Sequence, residues 1–165
     1  ALNRGVAPIG ALDGYGNACD AFHQTASSDD GEGAFLAMSK ALNMSGLKPG
    51  DIDYVNAHGT ATPNNDASES RAMIRLFGDK IPPVSSTKAF TGHTTSAAGS
   101  IEAVICLLAI RHGFIPANLN WKEPFDGGVV PDAEGHQGVQ LDHVLCNSFG
   151  FGGNDSSLLI SRYGK

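Results

Sequence analysis

From Ala97 to Ile110 the chain reads AAGSIEAVICLLAI, and Glu102 is the only charged residue in it. Apolar residues fall on every side of a 3.6-residue period instead of one stripe, the pattern of a helix that is buried all round. At about 14 residues the segment is too short to span a bilayer. A helix that wants apolar neighbours on all sides requires layers of structure above and below it. It also raises a question of charge, because a carboxylate on a buried helix is costly unless paired or hydrogen-bonded. Lys88, in the polar loop that leads into the helix, is the nearest cation in sequence. Glu102 is expected either to pair with Lys88 or to face a wet edge.

The rest of the chain supplies those layers. Pro8 to Gly16 (PIGALDGYG) reads as a strand broken by glycines, followed by a polar loop in which His23 is expected to bind local backbone. Glu32 to Met44 places Phe35, Leu36, Met38, Ala41 and Leu42 at helical spacing, and Gly46 is the expected C-terminal stop. Lys48 to Asp51 is a turn. Ile52 to Ala57 (IDYVNA) is a strand ending in His58-Gly59-Thr60-Ala61-Thr62-Pro63. A second helix runs to Phe77 from Asp66, the expected N-cap. Pro83 to Ser86 is a third strand, leading through Lys88 and His93 into the apolar helix. After the extended stretch Phe114 to Asn120, Trp121 to Gly138 has the Gly, Pro and acidic content of a long surface loop in which little catalysis is expected. His143 to Phe149 and Ser156 to Arg162 are strands joined by GFGGND, close enough to pair as a hairpin.

The order is β-α-β-α-β-α-β-β, which predicts one α/β domain over residues 1–165 with a mostly parallel sheet, a buried central helix and the final strand antiparallel at one edge. In such sheets functional residues gather beyond the carboxyl ends of the strands. His58 follows the second strand, Lys88 and His93 follow the third, and Phe151 follows the fourth. Taken singly, either histidine reads more readily as a structural hydrogen-bonder. Delivered together to one edge with an ammonium and a glycine-flanked aromatic, they read as a site. Neither histidine belongs to a spaced pair such as H-x-x-x-H and no carboxylate joins them in a ligand pattern, so no metal is expected. Gly150 to Gly153 opens no helix and lacks the Lys-Ser/Thr of a phosphate loop. Its glycines suit close approach of backbone N–H groups to a substrate oxygen.

A net charge of −6 with no Lys/Arg stripe argues against a nucleic-acid surface. Cys19, Cys106 and Cys146 form neither disulfide nor metal spacing, each reads as a small buried hydrophobe, and a reducing cytoplasm is the expected setting. The chain opens at Ala1 in strand-like sequence, as part of a longer protein would.

Three strings, YVNAHGTATP, then VSSTKAFTGH followed by SAAGSIEA, then CNSFGFGG, together resemble the β-ketoacyl-[acyl-carrier-protein] synthases of the elongating type, enzymes of the thiolase fold. The similarity is to the C-terminal half of that family and runs in order from Arg4-Gly5 to Ile160. The placement of the two histidines resembles the Cys-His-His class. The resemblance implies decarboxylative Claisen condensation of an acyl thioester with malonyl-carrier protein, in fatty-acid or polyketide and polyene synthesis. It implies that His58 and His93 hold the malonyl thioester carbonyl and stabilise the enolate, that Lys88 orders His93 with Glu102 as its partner, and that Thr60 and Thr62 bind the phosphopantetheine arm. It further implies that Phe151, with Phe149 beside it, gates the path between acyl and malonyl sites. No cofactor is implied beyond the phosphopantetheine of acyl-carrier protein. The implied partners are that carrier protein and an N-terminal synthase half bearing the nucleophilic cysteine, in a homo- or hetero-oligomer.

The chain departs from the family pattern at Thr60-Ala61-Thr62 (commonly T-S-T), Lys88-Ala89-Phe90 (K-S-M), Thr94-Thr95-Ser96 (L-L-G) and Gly152-Gly153-Asn154-Asp155 (G-G-T-N). These changes reshape pocket loops and spare the implied catalytic side chains. The expectation is a chain inactive alone, completed by a cysteine-bearing half. The alternative is a non-catalytic partner like the chain-length subunits of polyketide systems. A stand-alone binding module for acyl-carrier protein is a weaker third reading, since it would expose the apolar helix.

Overall fold

The computed structural model describes residues 2–164. Its main sheet has five strands in the order β1-β7-β6-β2-β3, where β1 is Gly10–Cys19, β2 Tyr54–Asn56, β3 Val84–Ser85, β6 His143–Gly150 and β7 Asn154–Arg162. The pairs β2/β6 and β2/β3 are parallel, while β7 runs antiparallel to both neighbours. Four strands therefore point one way and β7 opposes them. The expected hairpin is present, with His143 opposite Ser161 and Gly150 opposite Asn154. Its second strand lies inside the sheet and not at an edge, because β1 returns from the start of the chain to cover it over nine residue pairs.

Side-chain alternation divides β6 between two cores. Leu145 and Phe149 join Val55, Leu159 and the inner faces of α1 (Glu32–Ser45) and α2 (Pro63–Phe77). Val144 and Cys146 face the other way, towards Cys106, Ala109 and Ile110 of α4 (Ala98–His112). The result is a three-layer α/β/α arrangement, with a one-turn helix α3 (Lys88–Thr91) and a small ribbon of β4 (Phe114–Ile115) and β5 (His136–Gln137) at the margin.

Helix α1 ends as expected at Gly46, left-handed at φ 76°, with its N–H on the Leu42 carbonyl. It lies close on β1, and at Gly16 a Cβ would come within 1.9 Å of the Ala37 carbonyl oxygen, which leaves no room for a side chain. Helix α2 starts earlier than expected. Its N-cap is Thr62, whose hydroxyl accepts the Asn65 N–H at 3.3 Å, and Pro63 occupies the first turn where its missing N–H costs nothing. Helix α4 buries Ala98, Glu102, Cys106, Ala109 and Ile110 against the sheet. Its opposite face is open in this chain, with Val104 54% and Leu108 39% exposed, because one sheet covers only one side.

Candidate active site

The parallel register sets Asn56 beside Ser85 and Cys146, so β2, β3 and β6 end at the same edge. The turns that follow meet there. The Ser86 hydroxyl donates to the Gly59 carbonyl at 2.9 Å and ties the turn after β2 to the one after β3.

His58 is buried at 7% exposure, and its ring stands edge-on to His93, with centroids 5.6 Å apart and planes at 82°. On its other side lies Phe149, at 5.9 Å. Burial first, then the nearby charge of Lys88 and that of His93, push the His58 pKa down from 6.5 to about 3. His58 is therefore neutral across ordinary pH, and its Nδ1 is buried without a hydrogen-bond partner among the described residues. His93 is exposed, and its Nδ1 accepts the Thr95 N–H at 3.1 Å. An Nδ1 engaged as an acceptor places the proton of the neutral ring on Nε2, making that nitrogen the donor. The turn that does this holds Thr95 at φ 51°, and Ala61, between Thr60 and Thr62, sits at φ 60°. Non-glycine residues seldom adopt this region, least of all a β-branched one, so both turns carry backbone strain.

Lys88 and Glu102 form an ion pair whose side chains are 8% and 2% exposed, which decides between the two expectations for that carboxylate. Burial raises the Glu102 pKa, the Lys88 hydrogen bond and charge oppose the rise, and Glu102 Oε2 has no hydrogen-bond partner among the described residues. Phe149 is buried in the core, whereas Phe151, at the hairpin tip beside Gly152 at φ 79°, is 80% exposed. The tip is strapped to the loop after β1 by Gly152 N–H to the Gln24 carbonyl (2.8 Å), Asp20 N–H to the Gly153 carbonyl (3.3 Å) and Cys19 Sγ to the Gly152 carbonyl (3.5 Å). Thr60 and Thr62 share a hydroxyl contact at 3.3 Å, and Thr62 is also committed to capping α2.

Beside Thr60, Lys88 and His93 opens a cavity of about 630 Å³. Its far wall is formed by Leu119 and by Trp121, Phe125 and Val129, the last three in the segment expected to be a long surface loop. That segment and the stretch before it are drawn in by Asp132 N–H on the Val84 carbonyl (2.7 Å) and Ser86 N–H on Asn118 Oδ1 (2.8 Å). Isolated Gly and Pro carry no trace of such long-range bonds. Among the cysteines, Cys106 and Cys146 are buried as expected, and the neighbouring Cys146 thiol together with burial pushes the Cys106 thiol pKa well up. Cys19 is instead exposed, because alternation on β1 turns it away from α1. Sequence reasoning misses Glu69, whose buried carboxylate lies directly beneath His58. Its signal is spacing: Asn65, Glu69, Ala72 and Met73 form the inward stripe of α2. No helix among the described residues is long and apolar enough to cross a membrane.

The family described as "Beta-ketoacyl synthase, C-terminal domain" matches residues 9–122. The chain is 45% identical over 168 residues to the mitochondrial 3-oxoacyl-[acyl-carrier-protein] synthase of Arabidopsis thaliana, covering 98% of this chain and 36% of that protein. Among solved structures it is similar to the ishigamide ketosynthase/chain length factor, with a TM-score of 0.91, 36% identity, and 99% of this chain laid over 40% of that one. It is also similar to a ketosynthase in complex with its chain length factor from Xenorhabdus doucetiae, with a TM-score of 0.82, 38% identity, and 95% of this chain over 40% of that one. The chain thus spans 36–40% of the length of these relatives.

Proposed function

Because the chain belongs to the β-ketoacyl synthase family, we propose that it is the C-terminal domain of an elongating 3-oxoacyl-[acyl-carrier-protein] synthase and supplies the decarboxylation and gating part of its site. Thioesters arrive on the phosphopantetheine of acyl-carrier protein, alongside Thr60 and Thr62. His58 and His93 hold the malonyl thioester oxygen. As the bond from the α-carbon to the carboxylate breaks, CO₂ leaves and the electron pair passes into an enolate whose oxygen faces the imidazole donors. The enolate carbon attacks an acyl group held as a thioester on a cysteine, the C–S bond breaks, and the sulfur leaves as thiolate. Preorganised donors aimed at a developing oxyanion are the largest single source of rate in such steps. The observation that carries this reading is the neutral, buried His58 set edge-on to His93 above a buried Lys88–Glu102 pair.

The cysteine comes from a complementary half. In support, Cys106 and Cys146 are buried, the exposed Cys19 has its Sγ on the Gly152 carbonyl at 3.5 Å, and the open face of α4 is an apolar surface of the kind that marks an interaction site. Alone, the chain is expected to be inactive. In the complete synthase, His58→Ala and His93→Ala are expected to lower release of labelled CO₂ from malonyl-carrier protein by about 10²- to 10³-fold, while the cysteine is still acylated. Undiminished CO₂ release by both variants would overturn the assignment. A parent protein that releases no CO₂ yet alters product length in a partner synthase would favour the chain-length-subunit reading, which the name of the ishigamide structure keeps in view.

A further inference from the structure

Behind the hairpin tip, Asp155 stands where the family pattern G-G-T-N ends in asparagine, and it takes no part in the condensation chemistry. It is 2% exposed, opposite Phe149 on β6 and Ala18 on β1, just after the Phe151–Gly153 turn. Asp20 meets it at the first turn of α1, where a Cβ on Gly33 would fall 2.0 Å from Asp155 Oδ2 and 2.9 Å from Asp20 Cβ. Asp20 in turn joins the tip to the loop after β1. Its Oδ2 accepts the Ser28 N–H at 2.8 Å and its Oδ1 the Phe22 N–H at 3.3 Å, which folds that loop. Its own N–H donates to the Gly153 carbonyl at 3.3 Å, and a Cβ on Gly153 would lie 2.2 Å from its Oδ1.

From this arrangement we propose that Asp155 and Asp20 share one proton, and that loss of this proton as pH rises loosens the strap between the hairpin tip and the loop after β1, so that pH sets the mobility of Phe151. The consequence for chain transfer rests on the functional reading above. The shared proton rests on the packing and charge of the two acids.

Two carboxylates held close together in a buried place do not both ionise readily, and the proton that remains belongs to the pair. Burial first, then Asp20, then Glu69, raise the Asp155 pKa from 3.8 to about 7. Of the groups packed around it, Asp20 faces it from the loop after β1 and Glu69 from α2, while Ala18, Phe149 and Gly33, from β1, β6 and α1, carry no charge. Glu32, in the same turn of α1, is engaged by Arg75 at 2.7 Å. With its proton, Asp155 offers an O–H to the Asp20 carboxylate, whose oxygens keep lone pairs beyond the N–H groups they accept. Without it, two anions oppose each other, and the long Asp20–Gly153 bond is the first connection to give. An asparagine at this position would donate at every pH, so the switch belongs to the carboxyl group.

The test is made in the complete synthase and its Asp155→Asn variant, at about pH 6 and about pH 8. Amide protection of Phe151 to Asn154 and of Asp20 to Gln24, corrected for the intrinsic pH dependence of exchange, is compared with that of β6. Chain transfer is followed in single turnovers. In the parent, protection of the tip should fall by about 10-fold between the two pH values, the most that one proton gives over one unit past its midpoint. Protection of β6 should hold, and transfer should speed up. In D155N the tip should stay at the protection the parent shows at the lower pH. The infrared carbonyl band of a protonated buried carboxyl, present in the parent at about pH 6, should be missing from the variant. Tip protection independent of pH in the parent would overturn the proposal. So would a pH dependence that persists in D155N, which would assign the proton to another group, or one shared equally by β6, which would make Asp155 a general stabiliser. If the parent condenses nothing, the functional reading fails, and the exchange pattern and the infrared band still decide whether the acid pair holds the tip.

Discussion

The turn after β2 and the tip of the β6–β7 hairpin stand at the same edge of the sheet and are held in opposite ways. His58 rests on a buried carboxylate whose oxygens are filled by four N–H donors, and its ring is packed between His93 and Phe149. Phe151 projects 80% exposed from a tip whose glycines take positive φ and whose anchors are a few backbone bonds to the loop after β1. Behind that tip lies another buried acid, Asp155, but the charges facing it are the carboxylates of Asp20 and Glu69. One acid is solvated by the protein and the other is repelled. A rigid turn suits a residue that must hold geometry, and a loosely strapped tip suits one that must move.

The largest expected effect separates the two phenylalanines. Phe149 is a core residue at 7% exposure, and Phe149→Ala should cost about 3–5 kcal/mol of stability. Phe151→Ala removes an exposed side chain and should shift stability by no more than about 0.5 kcal/mol. If Phe151 gates the site, transfer between acyl and malonyl steps should nonetheless slow in that variant. Urea midpoints of both variants, set beside single-turnover condensation, make the comparison. Equal losses of stability would erase the distinction between a fixed wall and a mobile tip.

What the sequence allows to be read follows the range of the interactions. Helix α1 and its stop at Gly46 are local, and the 3.6-residue period with a C-terminal glycine reports them. The meeting of His58, Lys88 and His93 is legible because parallel strands put their carboxyl ends on one side. The interior place of β7 is not legible, since hairpin spacing fixes one neighbour and leaves the other open. Asp66 looks like a cap for α2 because it precedes the apolar stripe, but Thr62-Pro63 has the better cap chemistry one turn earlier. Glu69 reads as an ordinary helix charge because three of the four donors that make its burial tolerable come from the turn after β2 and from β6, 10 to 78 residues away.

The next effect concerns acid. His58 has its pKa lowered from 6.5 to about 3, so between those values the unfolded chain binds the proton that the folded chain refuses. Its contribution to stability is present above pH 6.5 and is lost as pH falls towards 3. At about 1.36 kcal/mol per pH unit the loss reaches a few kcal/mol. Every carboxylate also titrates in this window, so the measurement is a difference: the urea midpoint of the parent minus that of His58→Gln, at about pH 7, 5.5 and 4. The gap should close or reverse as pH falls. A gap independent of pH would mean that the ring is not held neutral by burial, and the contrast with the hairpin side would lose its electrostatic half.

The smallest expected effect has the opposite sign, and it tests the repelled acid. Burial, then Asp20 and Glu69, raise the Asp155 pKa from 3.8 to about 7. The folded chain therefore holds a proton that the unfolded chain releases, and the stability this brings is complete below pH 3.8 and lost as pH rises through about 7. Above that the protein carries an ionised carboxylate, 2% exposed, packed so tightly on the first turn of α1 that a Cβ on Gly33 would fall 2.0 Å from its Oδ2. Asparagine keeps the shape and removes the charge. Asp155→Asn should leave stability unchanged near about pH 4 and raise it by about 1–3 kcal/mol at about pH 8, with the hairpin tip, strapped to the same Asp20 loop, exchanging its amides more slowly at the higher pH. Asp155 packs against Gly33 in the first turn of α1, and a helix N-terminus favours an anion, which is why the gain should fall below that expected from burial and repulsion alone. If Asp155→Asn is neutral or destabilising at the higher pH, that helix terminus outweighs the two carboxylates, and the hairpin side is held by the same kind of anion shell as the His58 turn.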